Sequence, residues 1–464
     1  MTAFVDWLES LDQRRTVLVE VDYLAEGSSG TLRLANRPFI SRPDDSPASV
    51  PYDDVILGGL SYGRDMGGQN SGSLANSVGS VSLAASPEVV EASFFEFAGQ
   101  SVRVYLGDQR WARNEFQLVT VLTAEALEPT GRSDYVLKFR TERLDLADPL
   151  TEQTFTVGPN VDALKPVCFG QCHNVRPVQV DEAGRVWAVH DGPVEAISAV
   201  RVNGAAVSAT KDLTTGTITL SSKPSGTLTA DVVGAGGATA KGIILEILSR
   251  LGNTEIDSAS LDTLPVDAVG FYSRNPTSFR NALDGIVKTF GGFWGFSRLN
   301  VFKVGLIDRP KGGSSVALTP DDILLDGVSF LRRVRPATEV NLNYRKNYTP
   351  QDANGYEEPF SNVRKTSPGI EEIYPDAELK EAEVLLAEKA GADTEAERRR
   401  QFFEKPLRVF EVNAFALPFA FEVGQEVRLI YPYFGMEKGV DAVVLAITDE
   451  PLEGVTELRV LING

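Results

Sequence analysis

The fold is decided by three stretches near the end of the chain: VGQEVRLIYPYFG (residues 423–435), DAVVLAIT (441–448) and ELRVL (457–461). Their apolar residues alternate as in short β-strands, and Pro432 and Gly435 supply turns between them. A run of short strands separated by such turns suits a small closed or nearly closed β-barrel. The sequence therefore predicts a barrel-like domain in this part of the chain.

The composition predicts a modular, globular protein. With 464 residues and 42% hydrophobic content, the chain is long enough for about three or four domains. No apolar stretch approaches the roughly 18 residues needed to span a bilayer, and the first residues lack the layout of a signal peptide. Two cysteines cannot build a disulfide framework, which favours synthesis in a reducing compartment. We expect a soluble cytosolic product with no membrane span.

The charge balance argues against tight binding of nucleic acid. There are 45 basic and 64 acidic side chains, giving a net charge of −19. Tight binding to phosphates needs clustered cations, so we expect no specific nucleic-acid binding. An acidic wall could still suit a conduit through which DNA slides, although acidity more often serves solubility alone.

Strand patterns dominate the first half of the chain. Residues 1–163 are predicted to form one β domain, with a mobile Gly- and Ser-rich loop over 67–79. Its predicted strands cover residues 16–21, 31–34, 78–83, 102–106, 116–122 and 135–140. Residues 164–238 are predicted to form a second, smaller β domain, in which Asn203-Gly204 makes a hairpin turn.

The periodicity becomes helical after residue 239. Ile243, Ile244, Ile247, Leu248 and Leu251 predict a helix that ends at Gly252. A second helix is predicted over 277–290, followed by a double glycine and an aromatic hairpin over 293–304. These elements define a predicted α+β domain, residues 239–335.

The predicted last domain, residues 336–464, holds the barrel-like end. A strand is predicted over 339–344 and another over 408–416, with a helical stretch around 398–400 before the second strand. Leu379, Ala382, Leu386 and Ala390 form one stripe at helical spacing, which predicts an amphipathic helix packed on the barrel. The whole chain is therefore predicted to be mainly β with an α+β middle.

The densest group of metal-ligand residue types is CFGQCH, in which Cys168, Cys172 and His173 fall within six positions. Thiolates and imidazole suit zinc or an iron–sulfur cluster, but a closed site needs four ligands. The chain has one other histidine, His190, and no other cysteine, so the missing ligands would have to come from another chain. The favoured alternative is a turn at Gly170 with the thiols as small buried residues or a local disulfide.

Other candidate sites have weaker patterns. The glycine run 234–237 lies between a strand and a helix, but Thr239 replaces the third glycine of a dinucleotide fingerprint, so a joint with Thr239 as N-cap is favoured over a cofactor site. No strong hydrolase motif occurs. The carboxylate pairs Asp44-Asp45, Asp53-Asp54 and Asp321-Asp322 are expected by chance in an acidic chain. We therefore predict no catalytic and no cofactor-binding residue.

Aromatic residues offer a different function. Tyr431, Tyr433 and Phe434 lie in a predicted turn, where they could anchor a partner subunit or close the end of the barrel.

The order of these segments resembles a bacteriophage tail-tip or baseplate hub protein of the long-tailed phage or gene-transfer-agent type. The resemblance rests on glycine-centred motifs along the chain and on the helix, double glycine and aromatic hairpin of the middle region. The motifs are GTLRL (30–34), PYDDV (51–55), GSVSL (79–83), GQSVRV (99–104), GTITL (216–220) and the closing pattern of 423–461. It implies two small barrels flanking an inserted β domain and an α+β domain.

The resemblance also implies a function. Three copies would form a ring that joins the tail tube and distal tail protein to the central fibre or spike, with a lumen for the tape measure protein and then DNA. Such a virion protein is made in the host cytoplasm and is not an enzyme, and some hubs carry iron–sulfur sites. The alternatives are a distal tail ring protein, and a carbohydrate-binding or carbohydrate-cleaving module that contacts the host envelope, whose site we would expect in the second β unit.

Overall fold

The computed structural model describes residues 2–8, 10, 12–25, 27–67, 72–140, 144–352, 355–415 and 418–464. The fold is mainly β with an α+β middle, as predicted. The strands form several sheets, and none of the sheets in the described part of the chain closes on itself. None of the helices described has the length and apolar character needed to cross a bilayer.

The first region is built on a nine-stranded sheet. Its alternating apolar residues form one core around Val17, Val19, Val102 and Val104, because successive side chains of a strand point to opposite faces. The sheet order is β3-β4-β2-β1-β10-β11-β12-β9-β5. The elements are α1 (Thr2–Leu8), β1 (Arg15–Ala25), β2 (Ser28–Ala35), β3 (Phe39–Ile40), β4 (Pro51–Asp54), β5 (Ile56–Gly59), β6 (Tyr62–Asp65), β7 (Gly72–Ser73), β8 (Ala75–Val78), β9 (Val81–Ala84), α2 (Pro87–Ala92), β10 (Ser101–Asp108), β11 (Gln117–Pro129) and β12 (Asp134–Arg140).

The inserted region contains two small sheets. The sheet orders are β17-β16-β20-β13-β21 and β14-β15-β19-β18, with β21 contributed by the next region. The predicted Asn203-Gly204 turn joins β16 to β17, and Asn203 has a φ of 49°. The strands are β13 (Val167–Val175), β14 (Val178–Gln179), β15 (Val186–Ala188), β16 (Ala196–Val202), β17 (Ala205–Ala206), β18 (Thr210–Asp212), β19 (Thr217–Thr219) and β20 (Leu228–Val233).

The middle region contains both predicted helices and the aromatic hairpin. Thr239 caps the first helix and Ser278 caps the second. The apolar face of each helix is buried in the large core. The elements are α3 (Ala240–Arg250), α4 (Ser258–Leu261), β21 (Gly270–Ser273), α5 (Phe279–Lys288), β22 (Gly292–Phe296) and β23 (Phe302–Leu306).

The C-terminal region contains an eight-stranded sheet and a three-stranded sheet. The main path of the larger sheet is β24-β30-β31-β32-β29-β25, and the smaller sheet has the order β27-β26-β28. The elements are β24 (Ala317–Leu318), β25 (Ile323–Val334), β26 (Ala337–Tyr344), β27 (Ser361–Thr366), α6 (Ile370–Ile373), β28 (Glu378–Glu383), α7 (Lys389–Phe402), β29 (Leu407–Phe415), β30 (Glu426–Leu429), β31 (Val440–Glu450) and β32 (Val455–Asn463).

Two sequence predictions are wrong in detail. The helix predicted from Leu379, Ala382, Leu386 and Ala390 is not present, because residues 378–383 form β28, which pairs in parallel with β26; α7 begins only at residue 389. The predicted loop over 67–79 contains β7 and β8, while residues 68–71 lie outside the described part of the chain. The strand predicted over 408–416 is present as β29, and residue 416 is also outside that part.

Three short strands of the first region, β6, β7 and β8, belong to sheets of the later regions. Strand β6 pairs on one side with β31 and on the other with β8, and β7 pairs with β22. Met66 and Leu74 belong to the large core of the middle and C-terminal regions, whereas Phe419 belongs to the core of the first region. The first region therefore supplies strands to sheets of the later regions, and each of the two large cores contains residues from the other end of the chain.

Candidate functional site

The predicted metal ligands lie on one strand rather than in a turn. Gly170 has a φ of 70° within β13, and both Cys168 and Cys172 are free and buried in the core of the inserted region. The two thiols therefore pack among the apolar core residues of this region and do not form a local disulfide. His173 is engaged elsewhere, since its Nδ1 lies 3.0 Å from Asp231 Oδ1.

The environment of the thiols does not favour ligation. Burial raises the pKa of the Cys172 thiol well above its usual value, and a hydrogen bond with Cys168 raises it further, which opposes the thiolate that metals require. Within the described ranges, no group of three or more His, Cys, Asp or Glu residues is arranged to hold a metal. Ligation by Cys168, Cys172 and His173 together with a partner chain stays a prediction.

His190, the remaining histidine, serves the packing of the same region. Its Nδ1 accepts a hydrogen bond of 2.9 Å from the Cys168 N–H, and burial lowers its pKa to about 4. Arg250 donates to both carboxylate oxygens of Asp191 beside it, at 2.8 and 3.2 Å. The imidazole is therefore held neutral as a buried acceptor.

The glycine run and two of the carboxylate pairs from the sequence analysis have structural hydrogen bonds. Thr239 Oγ1 accepts from the Gly242 N–H at 3.3 Å, which confirms the N-cap after the glycine run. Asp45 accepts backbone N–H groups from Arg42 and Arg113, and Asp322 accepts from Thr319. These carboxylates stabilise turns and a helical end rather than facing each other across a cleft.

The predicted aromatic turn forms a partly exposed aromatic surface. Tyr431 is buried, whereas Tyr433 and Phe434 are 61% and 46% exposed. The Phe434 ring lies 5.4 Å from the ring of Phe410, which in turn lies 5.4 Å from that of Phe330. We call the exposed members Phe330, Tyr433 and Phe434 the aromatic surface.

Strand β25 extends this apolar character along a free edge. It is the last strand on one side of the eight-stranded sheet and pairs only with β29 within the described residues. Phe330 itself is 51% exposed, and further apolar side chains of β25 and β29 are also exposed, namely Leu324, Leu325, Leu331 and Phe415. An edge strand with exposed apolar residues is a template for association with another chain.

A buried ionic group lies where β6 meets the C-terminal sheet. Arg64 donates to Glu422 Oε2 at 2.6 Å, and its Nη2 donates to the Phe421 carbonyl. Burial opposes the ionisation of Glu422, but Arg64 together with Lys303 and Arg298 outweighs that effect and lowers its pKa. We call this group, together with Asp449, the charged seam.

Asp449 is the most constrained member of the charged seam. Its Oδ1 accepts from the Phe419 N–H at 2.9 Å and from Thr456 Oγ1 at 3.0 Å, while its Oδ2 is buried with no hydrogen-bond partner among the described residues. Burial raises its pKa to about 6. Sequence reasoning missed these residues because Arg64 and Glu422 are 358 positions apart.

Comparison with known proteins gives structural matches only. No protein-family model and no curated protein match the chain. One solved structure that it is similar to is from the virion of a native gene transfer agent particle, at 14% identity, covering 70% of this chain and 88% of that one with a TM-score of 0.47.

Two further structures come from bacterial prophages. The 43 kDa tail protein of prophage MuSo2 from Shewanella oneidensis is 10% identical over 96% of this chain and 98% of its own, with a TM-score of 0.43. Prophage tail protein gp18 from Listeria monocytogenes EGD-e is 10% identical over 96% and 94%, with a TM-score of 0.45. These are tail proteins, the class that the sequence resemblance predicted, but at such scores they carry no conclusion about the role of this chain.

Proposed function

We propose that this chain is a structural subunit of a phage tail or a related tail-like particle. The observation that carries the proposal is the aromatic surface next to the free edge of β25. Monomeric proteins protect such edges, and exposed aromatic residues are the typical anchors of protein interfaces. The order of sequence motifs supports the particular class of assembly.

Within that class we propose the role of tail-tip hub. Three copies would form a ring between the distal tail protein and the central fibre or spike, with the tape measure protein and DNA passing through the lumen. The large β-sheet at each end of the chain supports this role, since the two could supply two similar ring elements per subunit. The four-domain division at 163, 238 and 335 belongs to this proposal. Strands β24 and β25 precede residue 335 but pair into the C-terminal sheet.

The proposed mechanism is geometric rather than catalytic. The subunit would match the symmetry of the tube to that of the spike, seal the channel before infection and open afterwards. Most of the exposed acidic residues would then serve solubility and a non-adhesive lumen, because carboxylates repel the phosphates of passing DNA. No turnover is required for this role.

Native mass spectrometry of the purified full chain, with negative-stain imaging, tests the proposal. We expect a ring of three copies whose formation is weakened when Tyr433 and Phe434 are both replaced by serine. Phe94→Ser is the matched control, because Phe94 is an 85% exposed phenylalanine that does not belong to the aromatic surface.

A ring of six would assign the chain to the distal tail position instead. A monomer that also fails to bind the purified distal tail protein and spike would overturn the assembly role. If the double variant assembles as well as the parent, the aromatic surface is not part of the interface, and the observation that carries the proposal fails.

A further inference from the structure

The first region contains a cleft that the proposed assembly role does not use. Its volume is about 370 Å³, and it lies between β1, β2, β4 and the short helix α2. Small-molecule sites commonly have volumes of about 300–1,000 Å³ and combine aromatic walls with a few polar groups. The residues that matter for its chemistry are Tyr23, Arg33, Asp53, Glu88, Glu91 and Phe95.

The apolar wall is formed by two aromatic rings in a fixed arrangement. Tyr23 and Phe95 stack with their centroids 4.7 Å apart and an angle of 22° between planes. Tyr23 lies opposite Gly30 in the β1–β2 pair, and a Cβ at Gly30 would collide with the tyrosine ring. Glycine at this position therefore makes room for the ring against the backbone of β2.

The rim carries both donors and acceptors. Arg33 donates from Nη1 to the Thr31 carbonyl, and its Nε is buried with no hydrogen-bond partner in the described part of the chain. Glu88 and Glu91 are exposed, and neither forms an ion pair with any described residue. Asp53 adds a third carboxylate, which accepts from Ser86 Oγ.

This combination selects against simple ions. Three carboxylates would repel a phosphate or a carboxylate ligand, and a simple cation, although attracted to them, would leave the guanidinium of Arg33 and the two aromatic rings without a partner. A neutral ligand with many hydroxyl groups can donate to the carboxylates and accept from Arg33, since each hydroxyl is both donor and acceptor. The apolar face of a sugar ring also matches an aromatic wall.

We propose that this cleft binds a carbohydrate, independently of any role in tail assembly. The sugar ring would lie against Tyr23 and Phe95 while its hydroxyls bond to Arg33, Glu88 and Glu91. The site lies on the first β region, not on the second β unit where the sequence led us to expect such a module. No bond is broken in this proposal, because the cleft is assigned a binding role only.

Saturation-transfer NMR with the full chain tests the proposal. The probes are mannose, galactose, N-acetylglucosamine and their disaccharides at millimolar concentration, with titrations of any that respond. We expect Glu91→Gln and Arg33→Gln each to lower the affinity at least about tenfold, since each removes hydrogen bonds to a charged group. Phe94→Ala should change affinity less than about twofold, because Phe94 does not line the cleft.

The variants also have a folding control. Glu91 is exposed and makes no side-chain hydrogen bond to a described residue, so Glu91→Gln should leave the thermal transition unchanged. Absence of any saccharide signal from the parent overturns the proposal. Binding that survives Glu91→Gln and Arg33→Gln places the sugar elsewhere and also overturns it. Binding of a lysine-rich peptide in place of sugars would show that the cleft takes a basic ligand instead.

Discussion

Replacing Asp449 by asparagine tests the electrostatics of the charged seam. Asparagine has nearly the same shape as the protonated acid, and its oxygen can still accept from the Phe419 N–H and from Thr456 Oγ1. The substitution removes the ionisable group and also places the amide NH2 where the unpartnered Oδ2 lies, which adds a cost of burying an unsatisfied donor that does not change with pH. Because the buried Oδ2 makes no hydrogen bond within the described residues, the exchange breaks none at that atom.

The expected magnitude follows from the pKa of Asp449. Burial raises that pKa from 3.8 to about 6, a difference of about 2 units, and each unit corresponds to about 1.4 kcal/mol. A raised pKa means that the folded state holds the proton more tightly than the unfolded state does. Ionised Asp449 therefore lowers the free energy of unfolding. This loss is absent below pH 3.8, grows as the pH rises and is complete above about pH 6. At pH 8 it reaches about 3 kcal/mol, and at pH 5 roughly half of that.

We expect the stability of the asparagine variant relative to the parent to be about 1.5 kcal/mol higher at pH 8 than at pH 5, because the cost of the buried amide is the same at both pH values. The measurement is hydrogen exchange of peptides that cover β31, with both proteins compared at the same pH. His190 has a pKa lowered to about 4, so the folded state is also destabilised as the pH falls below 6.5. That contribution cancels in the comparison because both proteins contain this histidine.

The matched control is Asp65→Asn. Asp65 also lies where β6 meets β31, but it is exposed at 40% and paired with Arg459, so its replacement should change stability by less than about 1 kcal/mol. The reasoning would be refuted if the stability difference between the Asp449 variant and the parent were the same at pH 5 and pH 8.

Three further substitutions test other parts of the structure. Arg64→Ala removes the closest cation from Glu422, which keeps Lys303 and Arg298 nearby, and should lower the stability of β6 by about 1.5–3 kcal/mol, seen as faster hydrogen exchange there; unchanged exchange would contradict the pairing. Thr239→Ala removes an N-cap and should cost about 1 kcal/mol, measured as a lower urea midpoint of the middle region. Gly170→Ala forces an alanine to a φ of 70° and sets its Cβ against the Val269 carbonyl, so it should lower the melting temperature in calorimetry.

Local patterns were enough to predict the middle of the chain. The apolar spacing from Ile243 to Leu251 and the cap at Thr239 both indicate a short helix with one buried face. Helix α3 has this cap and this buried face. The hairpin after Gly291 is equally local, since aromatic residues on both of its strands face the same core. In such segments propensity, periodicity and capping agree.

The failures have a common cause in non-local pairing. Residues 378–383 read ELKEAE, a composition with high helix propensity, yet they form β28 because β26 offers a parallel partner some 40 positions earlier. Leu379 is 55% exposed there, so the helical stripe that it seemed to begin is not a buried face. The charged seam was invisible for the same reason, since its members are brought together only by the tertiary fold.

The pairing of β6 with the C-terminal sheet also bears on how the proposed ring subunit could stay rigid. A chain with two independent terminal domains would let the two ring elements rotate against each other, and a closed ring tolerates little such freedom. Here β6 is hydrogen-bonded into the C-terminal sheet, and Arg64 fixes it further through Glu422 and the Phe421 carbonyl. Loss of Arg64 would be costly because it removes the closest of the three cations around Glu422 and a hydrogen bond to a charged group. The charged seam therefore ties a strand of the first region to the C-terminal sheet, which would limit rotation of the two proposed ring elements against each other.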